Sequence, residues 1–233
     1  YSSYNLGSSN QTPMNSYFLL KKYVDELEPE YVVMESFWGP FNSRGSESAL
    51  DLICNTTPDI KSLRMAVETK DIMVINTFMV ETVKSILNKR SKKQHQYNKD
   101  QYVHGGFVET SRKMEPGNYK SYNSEITIDP PLEEQLMYLE KIIKFCKQKN
   151  IKIYLVRAPV TKKLFKNVEN YQELTEPISK IAKRNHVPFI DFNKISIELN
   201  DRKDFFDMHH LTQSGVKKFN KSLINNYSGL IVN

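Results

Sequence analysis

The stretch PPLEEQLMYLEKIIKFCKQKNIKIYLVRAP, residues 130–159, decides the fold. Leu132, Leu136, Leu139 and Ile143 recur at helical spacing behind Asp129 as a cap, and the helix runs straight into IKIYLVRAP, an apolar run of strand length. A helix delivered directly into a strand with few polar interruptions is half of a parallel βαβ unit. Toward the C-terminus the motif repeats. YQELTEPISKIAKRNH (171–186), with Pro177 at a start or kink, feeds the strand VPFIDF (187–192). Thr212 then caps a last helix carrying Val216, Phe219 and Leu223. Toward the N-terminus, Thr12 and Pro13 suit the N-cap and first position of the helix PMNSYFLLKKYVDEL (13–27), with Tyr17, Leu20, Val24 and Leu27 facing inward. EYVVMES (30–36) follows as a strand too apolar to be half exposed, and residues 2–7 read as the end of another strand that turns at Gly7.

These elements predict an α/β protein: a three-layer α/β/α arrangement with a mostly parallel, flavodoxin-like sheet in a single domain, residues 1–233. Residues 45–128 break the rhythm and read as a largely helical insertion or lid, although DIMVINTF (71–78) also fits a strand. HGGFVE and EPGNY mark turns in its polar second half. With 39% hydrophobic and 26% charged residues the chain is neither disordered nor membrane-spanning, and no signal peptide is visible. The net charge of +6 concentrates in KRSKKQHQYNK (89–99), which reads as a solvated loop; no nucleic-acid-binding motif accompanies it, so no nucleic-acid partner is expected. Cys54 and Cys146 lack CxxC spacing and read as buried free thiols, and nothing calls for a cofactor.

In an open parallel sheet the chemistry gathers beyond the carboxyl ends of the strands. Here those ends supply Gly7–Asn10, Glu35–Trp38, Arg157–Pro159 and Asp191–Asn193, and after the last of them comes FFDMHHLTQSG (205–215). Asp207 and His210 stand three apart before a capped helix. A compact turn there brings the carboxylate to one imidazole nitrogen and leaves the other as an outward-facing base, with His209 directed elsewhere. No third or fourth ligand at helical spacing joins Asp207 and the two histidines, so no metal is expected. His95, His104 and His186 read as solvated, and Asp191 as a cap of its own turn.

The closing segment, Asp207, His210, Leu211, Thr212 and Gly215, resembles the last block of the SGNH/GDSL hydrolase superfamily, and more narrowly the SGNH-like proteins of bacterial cell-surface polysaccharide O-acylation. The resemblance implies His210 as general base and Asp207 as its orienting carboxylate. YNLGSSNQTP (4–13) fits the superfamily in two ways. As the first block, Gly7-Ser8-Ser9 makes Ser9 the nucleophile. As the second, Asn5 to Thr12 resembles the Asn-x-Gly-x-Ser-Gly-x-Thr loop, with Asn10 where that loop has an oxyanion-binding glycine. The second matches more positions. It places the nucleophile and the first strand upstream of Tyr1, in keeping with a chain that reads as a fragment or mature piece.

The third block departs from the superfamily, because Trp38 falls near the position of its oxyanion-binding Asn; the indole could donate there or pack over an acyl or sugar group. Arg157 could clamp an anionic or carbonyl group, or pair with Glu35. Together these imply a serine esterase or O-acyltransferase acting on acyl esters, acetyl above all, of carbohydrate. The resemblance also implies an extracytoplasmic location, with a membrane tether upstream and a membrane acyltransferase as a possible partner. The rival reading is a non-catalytic SGNH-like module that binds glycan or an assembly partner.

Overall fold

A computed structural model describes residues 3–89, 100–120 and 123–231. The basic run from Arg90 to Lys99, with His95, lies outside the described residues. The chain runs α1 (Pro13–Leu27), β1 (Tyr31–Glu35), α2 (Trp38–Phe41), α3 (Ser46–Asn55), α4 (Ile60–Glu68), α5 (Ile72–Ile86), β2 (Asp100–Tyr102), β3 (Val108–Thr110), α6 (Pro116–Lys120), α7 (Glu133–Gln148), β4 (Lys152–Arg157), α8 (Lys162–Asn167), α9 (Tyr171–Arg184), β5 (Phe189–Asp191) and α10 (Gln213–Ile231).

The sheet has the order β1-β4-β5, every pairing parallel, with Met34 opposite Leu155 and Arg157 opposite Asp191. Alternation along β4 divides the core. Ile153 and Leu155 pack with Met34 against Leu20 and Val24 of α1, Leu139, Ile142 and Ile143 of α7, and Ile178 of α9. Tyr154 and Val156 point the other way, to Phe192 and to Phe219, Leu223 and Tyr227 of α10. Period-two side chains between two helical layers are what a three-layer α/β/α fold requires, and the predicted class is the observed one.

Local chemistry explains where α1 begins. Thr12 is its N-cap, paired with Asn15 in a reciprocal capping box, and Pro13 opens the first turn. At α7 the expected cap is displaced. Leu132, not Asp129, occupies the N-cap, its N–H held by Phe41 O at 2.9 Å. The buried face accordingly moves to Gln135, Tyr138, Leu139, Ile142, Ile143 and Cys146.

Three further expectations fail. Residues 3–8 form no strand; their backbone bonds go sideways, Asn5 N to Gly105 O at 2.6 Å. β1 is half exposed after all: Val33 and Glu35 reach solvent because, among the described residues, β1 pairs on one edge only. Cys54 is exposed, whereas Cys146 is buried. At residues 71–78, where the sequence allowed helix or strand, the chain is helical, since Asp71 caps α5 and Val74 turns inward on the helical period.

The region 45–128 divides into two parts. Ala49, Leu52 and Ile53 of α3, Met65 and Ala66 of α4 and Val74 of α5 form one apolar cluster with Met14, Phe18 and Leu19 of α1 and Tyr138 of α7. The helical part is therefore a packed wall. The β2–β3 hairpin is separate and turns through Gly105 and Gly106, both with positive φ. A Cβ on Gly106 would lie 2.1 Å from Asn5 O, so only glycine lets the hairpin tip meet the N-terminal segment.

Candidate active site

The loop between β5 and α10 is fixed at both ends. Asp204 is buried, takes Lys218 Nζ and Ser214 Oγ on its carboxylate at 2.7 and 2.8 Å, and gives its carbonyl to Thr212 N at 2.9 Å. Met208 is buried, and its carbonyl accepts both N and Oγ of Thr161, the N-cap of α8, each at 3.0 Å. Gly215 permits the closure, because a Cβ there would lie 2.1 Å from Asp204 O.

Within this frame Asp207 uses both oxygens. Oδ1 accepts His209 N at 2.9 Å and His210 N at 2.7 Å, and Oδ2 lies 2.7 Å from His210 Nδ1. Burial raises the carboxyl pKa, but the His210 bond, the His209 N–H and the imidazole charges outweigh it and hold the pKa at about 2. A carboxylate so bound fixes the proton on Nδ1 and presents Nε2 as acceptor. The His210 ring stacks on Phe206 at 5.4 Å and 4°, and His209 on Phe37 at 5.3 Å and 17°. Burial and the neighbouring His210 lower the His209 pKa, against the pull of Asp207. His209 thus stands as an aromatic spacer between Phe37 and the Asp207–His210 pair. Phe37 and Phe206 contribute to the site without having been given a role in the sequence, and His209, read there as directed elsewhere, stacks on Phe37; the adjacent aromatics Phe37-Trp38 and Phe205-Phe206 were the available signal.

Trp38 and Arg157 belong beneath the site. Trp38 is buried, edge-on to Tyr171 at 5.9 Å. Arg157 is fully buried and donates to Ser36 O at 3.1 Å, to Leu174 O at 3.0 Å and to Thr175 Oγ. Both side chains are buried, and the expected Glu35–Arg157 pair does not form. Instead the Glu35 carboxylate accepts Ser36 N at 3.0 Å and Ala158 N at 3.1 Å, tying the ends of β1 and β4 together. Crowding by protein atoms raises the Glu35 pKa, against those N–H groups and Arg157, even though the side chain keeps an exposed edge. Asp191 does cap its turn, accepting Asn193 N at 3.1 Å and Tyr171 Oη at 2.8 Å.

The N-terminal loop is tied to α3, not to the imidazole. Ser8 Oγ lies 2.9 Å from Ser48 Oγ, Ser9 Oγ donates to Glu47 at 3.1 Å, and Asn10 Nδ2 approaches Ser43 Oγ at 3.5 Å. Gly7 N is taken by Asn5 Oδ1 at 2.9 Å. Asn10 adopts φ 48°, the left-handed conformation that glycine occupies freely and that Asn tolerates better than most other residues. Among the described residues the N–H groups of Ser9 and Asn10 have no acceptor, and no serine hydroxyl bonds to His210.

β2–β3 and the start of α10 border an open cleft of about 840 Å³ lined in part by Arg112, Lys113, Arg202, Lys203 and Thr212. Arg112 pairs with Asp100 at 2.7 Å and lies 5.8 Å over the ring of Phe206, which stacks on His210. Ligand atoms of Asp207, His209 and His210 lie within 4.8 Å of one another, close enough to converge on a metal ion.

A model of an uncharacterised protein family matches residues 120–231, the span that carries β4, β5, Asp207 and His210. No curated protein matches the chain. Among the described residues no helix is long and apolar enough to cross a membrane.

Proposed function

We propose that the protein is an SGNH-type serine esterase or O-acyltransferase acting on acyl esters of carbohydrate. The observation that carries this reading is the Asp207–His210 contact of 2.7 Å, in a loop braced by Thr161 and Asp204 beyond the ends of a parallel sheet. His210 Nε2 takes the proton of a serine hydroxyl as its oxygen attacks the ester carbonyl. The free N–H groups of Ser9 and Asn10 hold the oxyanion. His210 then returns the proton to the departing alcohol, and water or a sugar hydroxyl releases the acyl group from the serine. In this reading Ser9 belongs to the oxyanion loop, as its bond to Glu47 and the φ of Asn10 suggest. The nucleophile follows a strand that pairs with the open edge of β1, where Val33 is half exposed. An extracytoplasmic site of action and a membrane acyltransferase partner accompany the proposal on the strength of the resemblance alone.

The test is turnover of p-nitrophenyl acetate and of an acetylated polysaccharide by the full-length natural chain. His210→Ala should abolish turnover while the chain stays folded, with only the modest drop in melting temperature that loss of the Asp207 contact brings; equal rates in both proteins would refute the proposal. One observation favours the non-catalytic rival, namely that Ser8 and Ser9 are engaged away from His210. A full-length chain that binds acetylated glycan and never turns it over, with or without His210, would establish that module instead.

A further inference from the structure

Helix α5 buries only Val74 and Glu81 of its fifteen residues. Ile72, Met73, Met79, Val80, Val83 and Ile86, with Leu87 just beyond, are all more than half exposed. Their spacing is regular. Ile72, Asn76, Met79, Val83 and Ile86 step by four and three, and Met73, Val80 and Leu87 repeat every seven residues alongside them. That is a stripe more than 100° wide, the width a helix normally buries against a neighbour. Seven such side chains present on the order of 700 Å² of apolar surface, above the usual largest patch of a monomer and near the roughly 800 Å² each partner gives to a standard interface. α4 packs against α5 and adds Ile60, Leu63 and Val67, exposed at the same helical spacing.

We propose that this face is a homodimer interface in which α5 of one copy packs antiparallel against α5 of a second copy about a two-fold axis. Two features select that occupant. The four-three stepping is the seam of paired helices, and an axis near residue 81 sets Met79 of one copy against Val83 of the other. Charge agrees with the antiparallel sense: Asp71 caps the start of α5, while Lys84, paired with Glu81 at 2.7 Å, stands in its last turn and Lys89 follows three residues past its end, so each basic end lies beside the other copy's acidic end, with helix dipoles opposed. A lipid surface would have to bring Asp71 to an anionic headgroup layer. The interface is independent of the catalytic reading, since α5 lies in the wall formed with α1 and α7.

Sedimentation velocity across a concentration series measures the assembly. The wild type should sediment as two chains, and Met79→Glu with Val83→Glu should shift it to one chain and weaken association at least a hundredfold. Val80→Cys, in a Cys54→Ser background, provides a second reading that leaves the apolar face largely intact. Mild oxidation should link two copies through position 80, while Glu176→Cys, on α9, should not link. A chain that stays monomeric at all concentrations, or a dimer indifferent to the glutamates and not linked through position 80, overturns the proposal. Monomers that instead adhere to anionic phosphatidylserine vesicles through Met79 and Val83 overturn it in favour of a lipid surface.

Discussion

Asp207→Asn isolates the one contact on which the chemistry depends. In the wild type Oδ2 lies 2.7 Å from His210 Nδ1, while Oδ1 is held by two backbone N–H groups. Asparagine can keep Oδ1 in place, so the loop should hold its shape, but it then turns an NH₂ toward Nδ1. Two donors cannot face each other, and the imidazole proton must move to Nε2. A hydrogen bond to a charged group contributes roughly 1.5–3 kcal/mol, and the exposure of the His210 ring argues for the lower end. About 1.5 kcal/mol corresponds to a preference of roughly tenfold for the Nδ1–H form in the wild type. Long-range proton–nitrogen correlation spectra of ¹⁵N-histidine-labelled protein at pH 9, above the ordinary imidazole range, read the tautomer directly. The wild type should show Nδ1 protonated at about nine molecules in ten, and the variant should show the reverse. In the full-length chain the same substitution should cost about 10³- to 10⁴-fold in kcat, because Nε2–H cannot accept a proton. Identical tautomers in the two proteins would refute the argument, whatever the activity.

Other perturbations test the frame around that contact. The Asp207 carboxyl titrates at about 2 in the folded chain, below its ordinary value, so its stabilisation is complete above about pH 4 and is lost as pH falls through 2. Urea titrations should therefore find wild type about 2 kcal/mol more stable than Asp207→Asn at pH 6, with the difference closing near pH 2. Arg157→Met removes the donors of three buried acceptors and should cost about 3 kcal/mol or more, seen as a lower urea midpoint; a neutral result would mean that Arg157 is not a strut. Gly215→Ala must push α10 off Asp204 and should cost about 1–3 kcal/mol, while also eroding the His210 tautomer preference; an unchanged tautomer would separate the loop from the helix start.

Much of this architecture is written in local patterns. Thr12-Pro13 marks the start of α1, and the apolar run of β4 is buried because both faces are covered by helices. The Asp207–His210 contact is legible for the same reason: a three-residue separation before a capped helix leaves little freedom for the carboxylate. What was not legible depends on partners distant in sequence. Trp38 reads as a rim residue and is instead buried against Tyr171, because the chain turns into α2 immediately after Phe37. Arg157 reads as a clamp or as a partner of Glu35 because its charge draws attention first; only the carbonyls of Ser36 and Leu174, distant in sequence, show that it satisfies backbone. β1 reads as a central strand, and its composition suits one, yet one edge and Val33 remain open among the described residues.

The open edge of β1 and the direction of the serines point to the same physical conclusion. A strand with an apolar, central-strand sequence and an unpaired row of backbone groups is a template for another strand. A strand added there in parallel would end beside Ser36 and Phe37, and Phe37 is the residue that stacks on His209. Its carboxyl end would therefore deliver a side chain to the neighbourhood of His210 that no described serine reaches. In the proposed reading, the braced imidazole, the N–H groups at Ser9 and Asn10, and the edge of β1 left open among the described residues would all be served by a hydroxyl arriving from the β1 side. A longer natural chain whose added strand paired anywhere else, at β5 for instance, would leave His210 without a proton to take and would remove the catalytic reading with it.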